Sequence, residues 1–233
     1  MKLIINDLHK SFGSKKVLMG ASAELQSGRI YGLLGRNGSG KTTLFNCLSG
    51  EAVFEKGSAV LVSDSGDTQA LKQSDICYVL STPILPEFFT GKEYISFFCS
   101  IHGIPEAAAD SYLDIVGISN DDRHRLIKGY SHGMKNKLQM LGFIIARPPV
   151  VLLDEPLTNL DPVVSLEIKE LLKEFAKDHI VIFSTHILEL AKDLCDDILL
   201  LTGGTLSRVD SETMHSDNFA RQVVNMLKDD GDE

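Results

Sequence analysis

The sequence predicts an α/β fold: a mainly parallel sheet covered by helices, with an antiparallel β layer on its flank and an inserted α-helical subdomain. Three observations predict it. A glycine-rich segment, Gly35-Arg36-Asn37-Gly38-Ser39-Gly40-Lys41-Thr42-Thr43, lies between an apolar strand-like run and a helix-like run. From residue 150 onward, short apolar runs alternate with amphipathic ones, the pattern of parallel strands joined by crossover helices. Between these two regions, residues 87–147 read as helix.

In chain order, residues 3–9 and 17–26 read as strands separated by the turn Gly13-Ser14-Lys15-Lys16. Arg29-Ile30-Tyr31-Gly32-Leu33-Leu34 reads as a buried strand, and Leu44-Phe45-Asn46-Cys47-Leu48 as the helix after the glycine-rich segment. Residues 57–62 suggest a further strand of the antiparallel layer. Polar residues 63–74 read as a loop, and Ile76-Cys77-Tyr78-Val79-Leu80 as another short buried strand.

The helical subdomain begins with an amphipathic stretch from Gly91, followed by one over 106–116. A third helix opens at Ser131, a good N-cap, and Met134, Leu138, Leu141 and Ile145 recur on one of its faces. Pro148-Pro149 stops it. Strands follow at 150–154, 180–184 and 197–202, with helices at 163–176 and 187–195 between them and a turn at Gly203-Gly204. A single C-terminal helix is expected over 211–228, then a solvated acidic tail over 229–233. At 233 residues, without repeat or linker, the chain is expected to form one domain over 1–233.

The composition excludes several classes. The net charge of −9 argues against nonspecific nucleic-acid binding, which shows a basic face. Cys47, Cys77, Cys99 and Cys195 lack the spacing of a zinc site or a disulfide framework, so buried reduced thiols are expected. The N-terminal apolar run is too short for a signal peptide. No apolar run approaches the ~18 residues of a membrane span.

The glycine-rich segment reads G-x-x-x-x-G-K-T, a phosphate-binding loop in its strand–loop–helix context. The fold is therefore expected to be a P-loop NTPase core. Glycines let the backbone curl so that several N–H groups face one anion, and the helix N-terminus adds partial positive charge. Gly35, Asn37, Gly38, Ser39, Gly40, Lys41, Thr42 and Thr43 are the candidate nucleotide contacts. Lys41 would reach the β- and γ-phosphates, and the Thr42 hydroxyl would bind Mg²⁺. The run Val150-Val151-Leu152-Leu153-Asp154-Glu155 ends in two carboxylates at the crevice end of a parallel strand. Asp154 is the candidate Mg²⁺ ligand, directly or through water. Glu155 is the candidate catalytic base, polarising water for attack on the γ-phosphate, which favours hydrolysis over phosphoryl transfer.

Residues 35–43, Tyr130-Ser131-His132-Gly133-Met134-Lys135, Leu152-Leu153-Asp154-Glu155-Pro156, Asn159-Leu160-Asp161 and Ser184-Thr185-His186 occur in that order. The set resembles that of ABC-transporter ATPases, over nearly the whole chain from about residue 3 to 209, and looks like the bacterial exporter type. The resemblance implies that two ATPase subunits pack head to tail, Ser131, Gly133 and Met134 of one facing the nucleotide of the other. His132 and Met134 replace the glycine and glutamine of the family's usual L-S-G-G-Q, a variant that some exporter subunits carry. The resemblance also implies that His186 bonds the γ-phosphate, that Phe12 stacks on adenine, and that Asn159 to Asp161 make contact across the dimer. Where the family carries a glutamine that reaches Mg²⁺, this chain has Ser81, whose shorter hydroxyl acts only through an intervening water.

Together these readings predict an Mg²⁺-dependent ATPase subunit, a homodimer or heterodimer, that powers a separate transmembrane permease at the cytoplasmic face of the cell membrane. Residues 81–94 are the expected docking groove. The competing readings are a soluble ATPase of the same family acting on nucleic acid or ribosomes, and a weakly catalytic regulatory partner. A long coiled-coil insertion or a second ATPase domain is not expected to fit within 233 acidic residues, which speaks against the former. Lys41, Asp154, Glu155 and His186 speak against the latter.

Overall fold

The computed structural model describes residues 1–158, 160–216 and 218–228. β1 (Lys2–Phe12) and β2 (Lys15–Gln26) form a hairpin whose turn is only Gly13-Ser14. β3 (Arg29–Leu34) feeds the glycine-rich loop and α1 (Lys41–Ser49). β4 (Lys56–Val62) and β5 (Thr68–Ala70) complete a four-stranded antiparallel sheet in the order β2-β1-β4-β5. β5 falls inside the expected loop 63–74. Its three exposed residues carry no apolar pattern, so only backbone pairing with β4 creates it.

β6 (Ile76–Val79) leads into the helical subdomain: α2 (Gly91–Ile101), α3 (Ala109–Ile115), α4 (Asn120–Arg123) and α5 (His132–Ala146). Thr90 and Glu93 form a reciprocal capping box that sets where α2 begins. Ser131 caps α5, accepting the Met134 N–H at 3.2 Å. The chain then returns through β7 (Val150–Asp154), α6 (Pro162–Ala176), β8 (Ile180–Thr185), α7 (Leu188–Leu194), β9 (Asp197–Thr202) and β10 (Thr205–Arg208).

The second sheet runs β10-β9-β3-β8-β7-β6, parallel except for the edge strand β10. The turn expected at Gly203-Gly204 is thus a two-residue hairpin, with both glycines at positive φ, and the strand after it extends the sheet. The helix expected over 211–228 is two helices, α8 (Ser211–His215) and α9 (Phe219–Lys228), with Ser216 extended after α8. The acidic tail 229–233 lies outside the described residues.

β7 shows why the parallel sheet is stable. Val150 and Leu152 pack into the core shared with α1 and the antiparallel sheet, which includes Phe45 and Leu199. Val151 and Leu153 face the opposite core, with Phe143, Leu172 and Phe183. All four are fully buried, each contributing about 1.5–3 kcal/mol of hydrophobic stabilisation. α5 joins subdomain to core in the same way. Leu138, Leu141 and Ile145 fill the subdomain interior, while Met140 and Phe143 reach the sheet.

Candidate functional site

The C-terminal ends of β3, β7 and β8 lie side by side, because β8 pairs in parallel with both β3 and β7. That places the glycine-rich loop, Asp154, Glu155 and His186 at one edge of the sheet. Along that edge opens a cleft of about 450 Å³ lined by Phe12, Asn37, Gly38, Gly40, Lys41, Thr42, Thr43, Asp154 and Glu155, with Lys15 and Val17 beside them.

The loop is tight where it needs glycine. A Cβ on Gly35 would lie 2.4 Å from Ser39 Oγ and 2.9 Å from the Leu201 carbonyl. Gly40 adopts φ +107°, and a Cβ there would lie 2.8 Å from the Val17 side chain. Gly40 is also the N-cap of α1, and no side chain caps that helix. Its first N–H groups are thus free of a side-chain acceptor, an anion-binding arrangement. Ser39 Oγ is buried and has no hydrogen-bond partner among the described residues.

Lys41 Nζ donates to the Gly35 carbonyl at 2.8 Å and to the Arg36 carbonyl at 3.3 Å. Burial holds the Lys41 pKa below its ordinary value, although the carboxylates of Glu155 and Asp154 act in the opposite sense. Thr42 Oγ1 donates to Asp154 Oδ2 at 3.0 Å. A hydroxyl and a carboxylate are hard oxygen donors of the kind Mg²⁺ takes beside water and substrate phosphates, so this pair fits the ion. Among the described residues no cluster of three or more His, Cys, Asp or Glu is placed to hold a metal ion.

Glu155 has φ +49°, a conformation uncommon for a side-chain-bearing residue. Its N–H donates to the Ser184 carbonyl at 3.2 Å and to Ser184 Oγ at 3.1 Å, which pins the backbone there. Its carboxylate accepts from Thr158 Oγ1 at 3.3 Å and from His186 Nδ1 at 3.0 Å. A carboxylate only accepts, so Nδ1 of His186 carries the proton. Nε2 then accepts when the ring is neutral and donates when it is charged. A hydrogen bond from Nε2 to an anion therefore requires the imidazolium form.

The remaining sequence-predicted residues divide. Phe12 is 56% exposed, and the Lys10 ammonium lies 5.0 Å from its ring centroid. Ser131, Gly133 and Met134 are at the start of α5 and do not line the cleft. Gly133 serves its own chain: a Cβ there would lie 3.3 Å from Val164 Cγ2 of α6. Asp161 caps α6, accepting the Val163 and Val164 N–H groups at 3.1 Å each, and Asn159 lies outside the described residues. Ser81 is exposed and likewise does not line the cleft.

Two functional neighbours of Asp154 were missed in the sequence. Tyr78 donates its hydroxyl to Asp154 Oδ2 at 3.4 Å, and its pKa is pushed up by burial and by the Asp154 charge. Ser184 donates to Asp154 Oδ1. Their signal was a polar residue within an otherwise apolar strand.

A parallel sheet whose central strand feeds a phosphate loop, with two carboxylates on a neighbouring strand end, defines a P-loop nucleoside triphosphatase. The ABC transporter family model matches residues 18–158, and the chain belongs to that family as an ATP-binding subunit with ATPase activity. It is 33% identical to the uncharacterized ABC transporter ATP-binding protein YdbJ of Bacillus subtilis (strain 168), over 88% of this chain and 67% of that one. It is 29% identical to the lantibiotic transport ATP-binding protein SrtF of Streptococcus pyogenes, over 97% of each chain. A solved ATP-binding subunit of an ABC transporter superposes with a TM-score of 0.79 at 24% identity, covering 100% of this chain and 96% of that one. The cbiO1 structure from Clostridium perfringens, part of the complex cbiONQ, gives 0.78 at 22% identity, covering 96% and 94%. The last two likenesses concern the fold.

Proposed function

We propose that this chain is the Mg²⁺-dependent ATP-hydrolysing subunit of a membrane exporter, and that two ATPase subunits close head to tail around two ATP molecules. One observation carries the reading: Lys41, Thr42, Asp154 and Glu155 line one cleft of this chain, while Ser131, Gly133 and Met134 lie outside it. An exposed helix N-terminus that serves no nucleotide of its own chain is suited to serve another's. ATP then brings together two surfaces that each donate to its γ-phosphate, and hydrolysis removes that bridge.

Within one half-site, Phe12 stacks on the base and the loop amides hold the phosphates. Lys41 leaves the Gly35 and Arg36 carbonyls for the β- and γ-phosphates. Glu155 accepts a proton from the attacking water, and His186 presents Nε2 to the γ-phosphate. Thr42 and Asp154 would hold Mg²⁺, which would neutralise charge on the phosphate oxygens. Ser81 acts on this centre only through water.

Among the described residues no helix is long and apolar enough to cross a membrane. We assign membrane attachment at the cytoplasmic face to a separate permease. The exposed apolar residues Ile84, Phe88, Phe89 and Phe97 support docking along residues 81–94 and the adjoining α2. The full-length match to a lantibiotic transport protein makes a peptide the first cargo to test.

The test is Glu155→Gln. With ATP and Mg²⁺ the variant should sediment as a dimer and hydrolyse ATP at least about 10²-fold more slowly than the parent chain. Hydrolysis at the parent rate would remove Glu155 from the mechanism, and a persistent monomer would sink the composite site.

A further inference from the structure

Lys15 is a cation in the nucleotide cleft that the mechanism above does not use. The two-residue turn Gly13-Ser14 sets it directly opposite Phe12 in the β1–β2 register. Such cross-strand pairs hold their Cβ atoms about 4.5–5.5 Å apart. Further along β2, Val17 lies against the phosphate loop, so close that a Cβ on Gly40 would be 2.8 Å from its side chain. Lys15 and Val17 both line the cleft, whereas Lys16 between them does not. This stretch of β2 is therefore a wall that runs from Phe12 to the loop, and Lys15 stands at its Phe12 end.

The neighbouring cations are already engaged. Lys10 Nζ donates to the Val53 carbonyl at 2.8 Å and lies over the Phe12 ring. Lys41 is bonded to carbonyls of the loop and is assigned to the β- and γ-phosphates. Lys15 is exposed, and no partner among the described residues holds its ammonium. Its flexible four-carbon stem leaves that charge free to meet an anion laid along the wall.

A nucleotide with its base at Phe12 and its terminal phosphates at the loop presents its α-phosphate between the two. We propose that Lys15 is a further nucleotide-binding residue whose ammonium pairs with that α-phosphate. The inference rests on the reading that ATP occupies this cleft. The α-phosphate is common to ATP and ADP, and hydrolysis leaves it in place. Lys15 therefore holds substrate and product alike and takes no part in the γ-phosphate switch. An interaction of that kind lowers KM without raising kcat.

Lys15→Gln removes the charge and keeps most of the side chain, and at an exposed position it leaves the fold intact. Calorimetry without Mg²⁺ measures binding with no hydrolysis. Affinity for ATP and for ADP should each fall by the same factor, about three- to tenfold. Lys15→Arg should restore both, while Lys16→Gln, equal in net charge, should change neither. In steady state with Mg²⁺, Lys15→Gln should raise KM for ATP and leave kcat unchanged. Parent affinity for both nucleotides in Lys15→Gln overturns the proposal, as does a loss confined to ATP, which would put the ammonium at the γ-phosphate. An equal loss in Lys16→Gln overturns it too, because net charge would then account for the effect. Lys41→Ala separates the two readings. If that variant binds ATP as the parent does, this cleft is not the nucleotide site and the proposal falls with it. If Lys41→Ala is weakened and Lys15→Gln is not, the role of Lys15 alone fails.

Discussion

The Ser184 hydroxyl links the two acids of the site, donating to Asp154 Oδ1 while accepting the Glu155 N–H at 3.1 Å. Its side chain is fully buried and sits at the register position opposite Asp154 on the paired strands β7 and β8. One atom thus orients the candidate metal ligand and braces the backbone that holds the candidate base at positive φ.

Ser184→Ala is therefore expected to act on the site more than on the fold. Groups that orient a metal ligand typically govern affinity by about 10–100-fold. The Mg²⁺ concentration for half-maximal ATPase should rise by about tenfold or more, with ATP binding in the absence of metal nearly unchanged. Stability should fall by about 1 kcal/mol, because two half-buried groups lose a partner while the Glu155 N–H keeps its bond to the Ser184 carbonyl. A Mg²⁺ titration of steady-state hydrolysis checks the first, and denaturant unfolding the second.

Lys41 yields a prediction about protons. Burial keeps its pKa below the ordinary lysine value of 10.5 in the free protein. Phosphate oxygens beside the ammonium raise that pKa on binding, since an opposite charge favours the charged form. Between the two values the bound state holds more proton than the free state, so ATP binding at alkaline pH should take up protons. Calorimetry in two buffers of different ionisation enthalpy measures this directly. Lys41→Arg should abolish the uptake, because guanidinium stays charged throughout. Affinity should fall by about 10–100-fold in Lys41→Ala, the worth of a charge-assisted contact.

The parts of the site that were legible in the sequence are those whose chemistry depends on local spacing. Residues 35–43 lie within one turn of chain, and Asp154-Glu155 end one strand, so their roles follow from neighbours in sequence. Tyr78 and Ser184 were not legible, because each acts on Asp154 across a strand pairing. β6 and β8 both flank β7 in a sheet whose spatial order differs from its sequence order. The same reason hid the Gln139–Leu80 bond, which joins positions 59 residues apart. In the fold, the apolar strands and amphipathic helices were read from their periodicity. β5 was not, since its residues are polar, and neither was β10. The break between α8 and α9 escaped because the apolar pattern of Met214, Phe219 and Val223 continues into one shared cluster. At Ser131 the sequence indicated a cap and the structure has one.

A last prediction concerns acid stability and lies away from the nucleotide. His179 stacks on Phe175 with ring centroids 3.9 Å apart, and its Nδ1 lies 2.7 Å from the Pro148 carbonyl. The carbonyl only accepts, so Nδ1 carries the proton and Nε2 is a lone pair, buried without a partner among the described residues. Protonation would place a cation in that pocket, and burial accordingly holds the His179 pKa below its ordinary 6.5. The unfolded chain therefore binds the proton more readily than the native one. Its contribution to stability is fully present above pH 6.5 and is lost as the pH falls from there through the folded value. His179→Phe keeps the stacking and removes the titration, although it gives up the bond to Pro148. Its Tm should lie below that of the parent at pH 7.5 and fall less steeply between pH 6.5 and 5. Parallel Tm–pH curves for the two proteins would show that the acid sensitivity of this fold resides in other groups.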